Sequence, residues 1–215
     1  MANKNSQVIS SIKKELKIII DFLYKNDLCI EYTDYAISAI GNNKIEITRP
    51  NRRNESNVLY DELISIKDTI KIILTGKEYN ILLKDRSVIQ FEFECENGLI
   101  TKERFIYIRP FNTTDFVSNE YDDCDWFEMG YEIPLIIRID YDIEDKPNHS
   151  KAHATINNIK YCRIPLKGPI SVTNFINFIL NMFYGENYTG ESFNYANETT
   201  ITSAEKREPH INWEE

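Results

Sequence analysis

The sequence predicts an α+β fold: an antiparallel sheet of about six strands with helices packed on one face. Three observations predict it. Apolar residues recur at helical spacing over residues 5–25, with Val8, Ile9, Ile12, Leu16, Ile19, Ile20 and Leu23 on one side and Lys13, Lys14 and Lys17 opposite. In mid-chain the period changes to two: in "VIQFEFE" the residues Ile89, Phe91 and Phe93 take one face, and Gln90, Glu92 and Glu94 the other. Helical spacing returns over Val172–Tyr184, through Phe175, Phe178, Ile179, Met182 and Phe183, with Ile176 and Leu180 on its flank. Strands grouped between helices, rather than alternating with them, indicate an antiparallel sheet.

The elements follow in order. After the first helix, "GNNKIEITRP" is a turn and a strand, Lys44–Thr48, stopped by Pro50. "NRRNES" is a polar loop. A second helix is predicted from about Asn57 to Thr75, with Gly76 as the left-handed residue that ends it. Tyr79–Lys84, a "DRS" turn, Val88–Glu94, an "ENG" turn and Arg104–Ile108 form a meander whose outward glutamates imply one solvated side. The acidic stretch after Pro110 reads as a loop of more than about 15 residues, long enough to suggest a role of its own. "PLIIRIDYD" is a strand with Ile137, Ile139 and Tyr141 inward and Arg138, Asp140 and Asp142 outward. "HATI" and "IKYCRI" then form a hairpin about Asn157-Asn158, which sets Thr155 against Lys160 and His153 against Cys162. Residues 1–184 are expected to form one domain, and 185–215 a C-terminal extension.

Composition narrows the function classes. A hydrophobic content of 42% is ordinary for a globular chain. No apolar run approaches the roughly 20 residues that cross a bilayer, and "MANKNSQ" leads into no secretory segment. Cys29, Cys95, Cys124 and Cys162 lie far apart without a CxxC pair, which points to reduced thiols in a cytoplasm rather than to a zinc finger. The net charge of −9 disfavours RNA or DNA as a ligand, since such affinity comes from cations meeting phosphates. Locally the balance differs. From Thr114 to Glu132 every charge is acidic, whereas Arg138 to Gly168 carries a small cationic excess. Phosphate-binding loops, dinucleotide fingerprints, nucleophile elbows and HExxH are missing, so the reactions those motifs serve lack support.

"YNILLKDRSVIQFEFE", then "ERFIYIRP", then the block from "RIDYD" to "CRIPLKGPISVTNFINFILNMFY" resemble, in order and spacing, a bacterial family of domain of unknown function 2290. The resemblance runs from about Val58 to Tyr184. Two departures stand out: Arg86 in the "DRS" turn where glycine is expected, and "YIRPF" in place of a Ser-Pro ending. Because that family has no established activity, the resemblance implies a fold unit and a prokaryotic setting but no mechanism.

Arg138, Asp140, Asp142, His149, His153 and Arg163 form the candidate site. His149 and His153 stand at i and i+4, and one imidazole is expected within about 6 Å of Asp140 or Asp142. Two imidazoles beside arginines suit RNA cleavage without metal: one ring removes the 2′-hydroxyl proton, the other protonates the leaving oxygen, and Arg stabilises the phosphorane. The chemistry needs no cofactor, though His149, His153, Asp140 and Asp142 would also suit a divalent metal. A third reading is an ion-pair ladder on an ordinary sheet face, with Arg138 bridging an aspartate. In all three the predicted hairpin turns Arg163 toward the core unless a bulge intervenes. The functional expectations are therefore two. One is a small ribonuclease or phosphate-handling enzyme of a toxin–antitoxin or phage-defence locus. The other is a non-catalytic interaction or regulatory subunit of such a system, docking a protein partner encoded nearby through a sheet edge or the acidic 114–132 stretch.

Overall fold

The computed structural model describes residues 2–49, 66–110, 135–144, 150–157 and 163–185. In chain order the elements are α1 (Ala2–Lys25), β1 (Cys29–Tyr32), β2 (Ala36–Gly41), β3 (Lys44–Thr48), α2 (Ile66–Thr75), β4 (Ile81–Leu83), β5 (Val88–Glu96), β6 (Leu99–Arg109), β7 (Leu135–Asp142), β8 (Ala152–Ile156), β9 (Arg163–Pro165) and α3 (Val172–Tyr184). The fold is α+β, as predicted, around one antiparallel sheet that has nine strands among the described residues rather than six. The main path runs β1-β4-β5-β6-β7-β8-β9, and the β2–β3 hairpin joins it through β3 on β5. β1 and β2 are the unpredicted strands. β1 has four residues, and all but the first of β2's positions are exposed, so neither offers an apolar alternation to read.

The predicted α1 stripe buries Val8, Ile12, Leu16, Ile19, Ile20 and Leu23 against Phe91, Phe93, Phe105 and Tyr107 of the central strands. α3 lies on the same face, with the Phe175 ring stacked on Phe105 at 5.0 Å. Its buried stripe is rotated from the predicted one: Ile176 and Leu180 are at its centre, and Met182 is 63% exposed. Both stripes satisfy helical spacing, and α1 packing alongside selects the one that both layers cover. α2 instead lies across the opposite face, where Ile70 and Ile73 bury Leu82, Val88, Ile106, Ile108 and Ile136. Half of that second face is therefore core; the rest stays polar.

Local conformation sets the boundaries. α2 ends at Thr75 as expected, but the left-handed residue comes one position later, at Lys77 with φ 49°; Lys77 and Glu78 donate back to Leu74 and Ile73, so Gly76 is not the residue that needs the conformation. The predicted start of that helix, 57–65, and the acidic 114–132 stretch lie outside the described residues. Asn97 and Gly98, at φ 52° and 86°, make the tight turn between β5 and β6. Just beyond it, pairing runs Cys95 with Ile100 and then Glu94 with Lys102, so β6 carries one extra residue, Thr101. From that bulge onward Lys102 and Arg104 point outward while Glu103 turns into the core. The predicted hairpin about Asn157-Asn158 is overturned. Thr155 pairs with Arg163 and His153 with Pro165, three residues later than the predicted partners of each. Asn157 is left-handed, at φ 52°, but it closes the β7–β8 ladder rather than a two-residue turn: its N–H and Oδ1 bond the carbonyl and N–H of Ile136.

Candidate functional site

Strand alternation assembles a charged surface on the half of the second face that α2 leaves open. β5 contributes Glu92 and Glu94, β6 Lys102 and Arg104, β7 Arg138, Asp140 and Asp142, β8 His153, and β9 Arg163. Register then selects the neighbours. Arg104 lies opposite Glu92 on one side and Asp140 on the other, and Asp140 lies opposite His153. The Asp140 carboxylate accepts from Arg104 Nε at 2.7 Å through Oδ1 and from Arg138 Nε at 2.5 Å through Oδ2, and its Oδ2 is 3.7 Å from His153 Nε2. Glu92 continues the chain, 2.6 Å from Arg49 Nη1 and 3.9 Å from Arg104 Nη1. Glu94 meets Lys44 at 2.6 Å and Lys102 at 3.6 Å. The result is a ladder of alternating charge across the sheet.

Above this ladder is a cavity of about 300 Å³, lined by Glu46, Glu92, Glu94, Lys102, Arg104, Arg138, Asp140, Asp142, Lys151, His153 and Arg163 among others. Five of the six predicted site residues thus share one cavity. His149 lies outside the described residues. The expected approach of an imidazole to a carboxylate is met by His153. Arg163 is where the predicted hairpin would not put it: the longer β8–β9 connection sets it beside Thr155 on the charged face, and it is exposed. Cys162, the predicted neighbour of His153, also lies outside the described residues. Arg104, Glu92, Arg49 and Lys151 join this charged network and are not among the six residues that the sequence proposes for the site. The outward parity of "FEFE" and of Arg104 relative to the buried Phe105 was the available signal for two of them.

His153 is 3% exposed, and Asp140 is engaged by two guanidiniums, so neither is placed to shuttle protons with solvent. Among the described residues no group of three or more His, Cys, Asp or Glu side chains is arranged to hold a metal ion.

A second set of carboxyls lies on the opposite side of β6. Glu103, turned inward by the bulge, and Glu15 of α1 are 2% and 1% exposed. Glu103 accepts from the Ile170 N–H at 2.8 Å and Glu15 from the Thr173 N–H at 2.7 Å, so the pair holds the entry to α3. Burial, with Glu15 and Asp140 nearby, pushes the Glu103 carboxyl up to about 8.

No helix among the described residues is long and apolar enough to cross a membrane. Neither a curated protein nor a solved structure matches the chain. A family model does, over residues 28–213, which takes in every strand and the helix α3 that backs the charged face. The chain belongs to the family described as uncharacterized conserved protein (DUF2290).

Proposed function

We propose that this chain is a non-catalytic interaction or regulatory subunit whose recognition surface is the charged face of the sheet. One observation carries the reading. Asp140 is bound by Arg104 and Arg138 and lies beside a buried His153, so the centre of the cluster is ordered by its own contacts rather than poised as an acid or base. Ordered side chains around an open cavity suit recognition, because little rotamer entropy is lost when a ligand arrives. We place the subunit in a bacterial cytoplasm, beside a partner encoded in a toxin–antitoxin or phage-defence locus. The buried free thiols Cys29 and Cys95 suit a reducing compartment, and a component that recognises without reacting fits a system of two or more genes.

The competing reading, metal-independent cleavage of RNA, is favoured by His153, Arg138, Arg104 and Arg163 lining one cavity. Incubating the purified chain with labelled RNA separates the two. We expect no scission, and no change with His153→Ala or Arg138→Ala. Scission that His153→Ala abolishes at an unchanged melting temperature would make the chain an enzyme.

A further inference from the structure

The charges around the cavity are unevenly distributed, and the imbalance identifies a ligand. On the β3–β5 side, Glu94 is paired with Lys44 and Lys102 and Glu92 with Arg49, and Glu46 adds a further carboxylate. On the β7–β9 side, Arg104, Arg138, Lys151 and Arg163 stand with Asp140 and Asp142, an excess of two positive charges; Glu92, 3.9 Å from Arg104, is itself paired with Arg49 at 2.6 Å. Arg104 and Arg138 are held in place through their Nε atoms by Asp140. Lys151 and Arg163, which flank them on the β8–β9 edge of the cavity, have no ion-pair partner among the described residues.

We propose that the β7–β9 end of this cavity binds the phosphate of a small phosphate-bearing ligand. The proposal rests on the reading of the charged face as a recognition surface and names what it recognises. Arginine presents planar N–H donors suited to phosphate oxygens, and a phosphate dianion matches the local excess of two positive charges. The cavity volume of about 300 Å³ is at the small end for ligand sites. The net charge of −9 repels a long polyanion, so a compact dianion fits where a nucleic acid does not. The Glu46, Glu92 and Glu94 carboxylates at the other end would accept hydrogen bonds from the rest of the ligand.

Calorimetric titration of the full chain with inorganic phosphate, a nucleoside monophosphate and a short single-stranded RNA tests this, each repeated with Arg163→Gln and Lys151→Gln. Both substitutions are on the cavity rim and should leave the melting temperature without ligand unchanged. Saturable binding of phosphate or the monophosphate, weakened about tenfold or more by each substitution, is the expected result. Tighter binding of the monophosphate than of inorganic phosphate would show that the phosphate arrives as part of a larger molecule; equal binding would show the free ion. Binding of RNA alone, binding indifferent to both substitutions, or no binding overturns the proposal. If no phosphate compound binds and RNA stays intact, only this inference fails. If RNA is cut in a manner dependent on His153, it is the non-catalytic reading that fails.

Discussion

Two residues occupy environments that their chemistry resists, and each gives a measurable consequence. Glu103 holds its proton in the fold to about pH 8, against an ordinary value of 4.5. Between these values the folded chain keeps a proton that the unfolded chain has released, so stability falls as pH rises through that window and levels off outside it. Unfolding free energies from urea titrations taken from pH 5 to pH 8 should therefore decline, by up to about 1.4 kcal/mol per pH unit at the steepest. Glu103→Gln, which keeps the acceptor for the Ile170 N–H, should flatten that component of the decline. Arg86 is the second residue. It stands at φ 65° in the turn between β4 and β5, where a side chain costs roughly 1 kcal/mol relative to glycine. Arg86→Gly should raise stability by about 0.5–1 kcal/mol in denaturant melts, less whatever its side-chain contacts contribute. The family resemblance anticipates glycine here, and the positive φ supplies the physical reason.

At the scale of elements, the charged ladder depends on register as much as on composition. Asp140 is the joint between β6, β7 and β8, with its side chain 15% exposed. Asp140→Asn leaves Arg104 and Arg138 without their shared counter-charge and should cost about 2 kcal/mol, discounted from the loss expected at a fully buried pair. A companion substitution at Glu144, which is exposed and outside the ladder, should change the melt by no more than about 0.5 kcal/mol. α3 gives a similar contrast. Phe175→Ala, at the stacked and fully buried position, should cost about 3–5 kcal/mol, while Met182→Lys should be near neutral although both belong to the same apolar repeat. Helical spacing alone admits both stripes, and only the packing of α1 against α3 chooses between them.

For the whole molecule, the α+β class, the outer helices, the meander and the outward side of Arg138, Asp140 and Asp142 were legible because each is written in a period, two or 3.6, that burial enforces. What stayed illegible depends on events that leave no period. α2 covers the second face with only ten described residues, so the sheet has two buried regions rather than one. The β8–β9 connection could not be read from Asn157, because a left-handed asparagine serves a ladder end as well as a tight turn. Glu15 and Glu103 carry no motif. They are visible in sequence only as acids at positions where the helical and strand repeats call for apolar side chains. Arg163 illustrates the cost of a wrong loop length: three residues of slip, an odd number, assign it to the opposite face.

Thr101 makes the two sides of β6 unequal in their tolerance of length change. The ladder on both sides of the bulge keeps its alternation without this residue, since Cys95–Ile100 and Glu94–Lys102 would become consecutive pairs. Deleting Thr101 should therefore leave inside and outside unchanged, at the loss of its two bonds, to the Glu94 carbonyl and from the Ile143 N–H. Deleting Ile106 instead would exchange the faces of every residue beyond it and move Tyr107 from the core under α1 and α3 to the side covered by α2. In a library of single-residue deletions scored by soluble expression, position 101 should survive where the rest of the strand does not. The strand thus carries one spare unit of length, and a lineage could gain or lose it without redesigning the sheet.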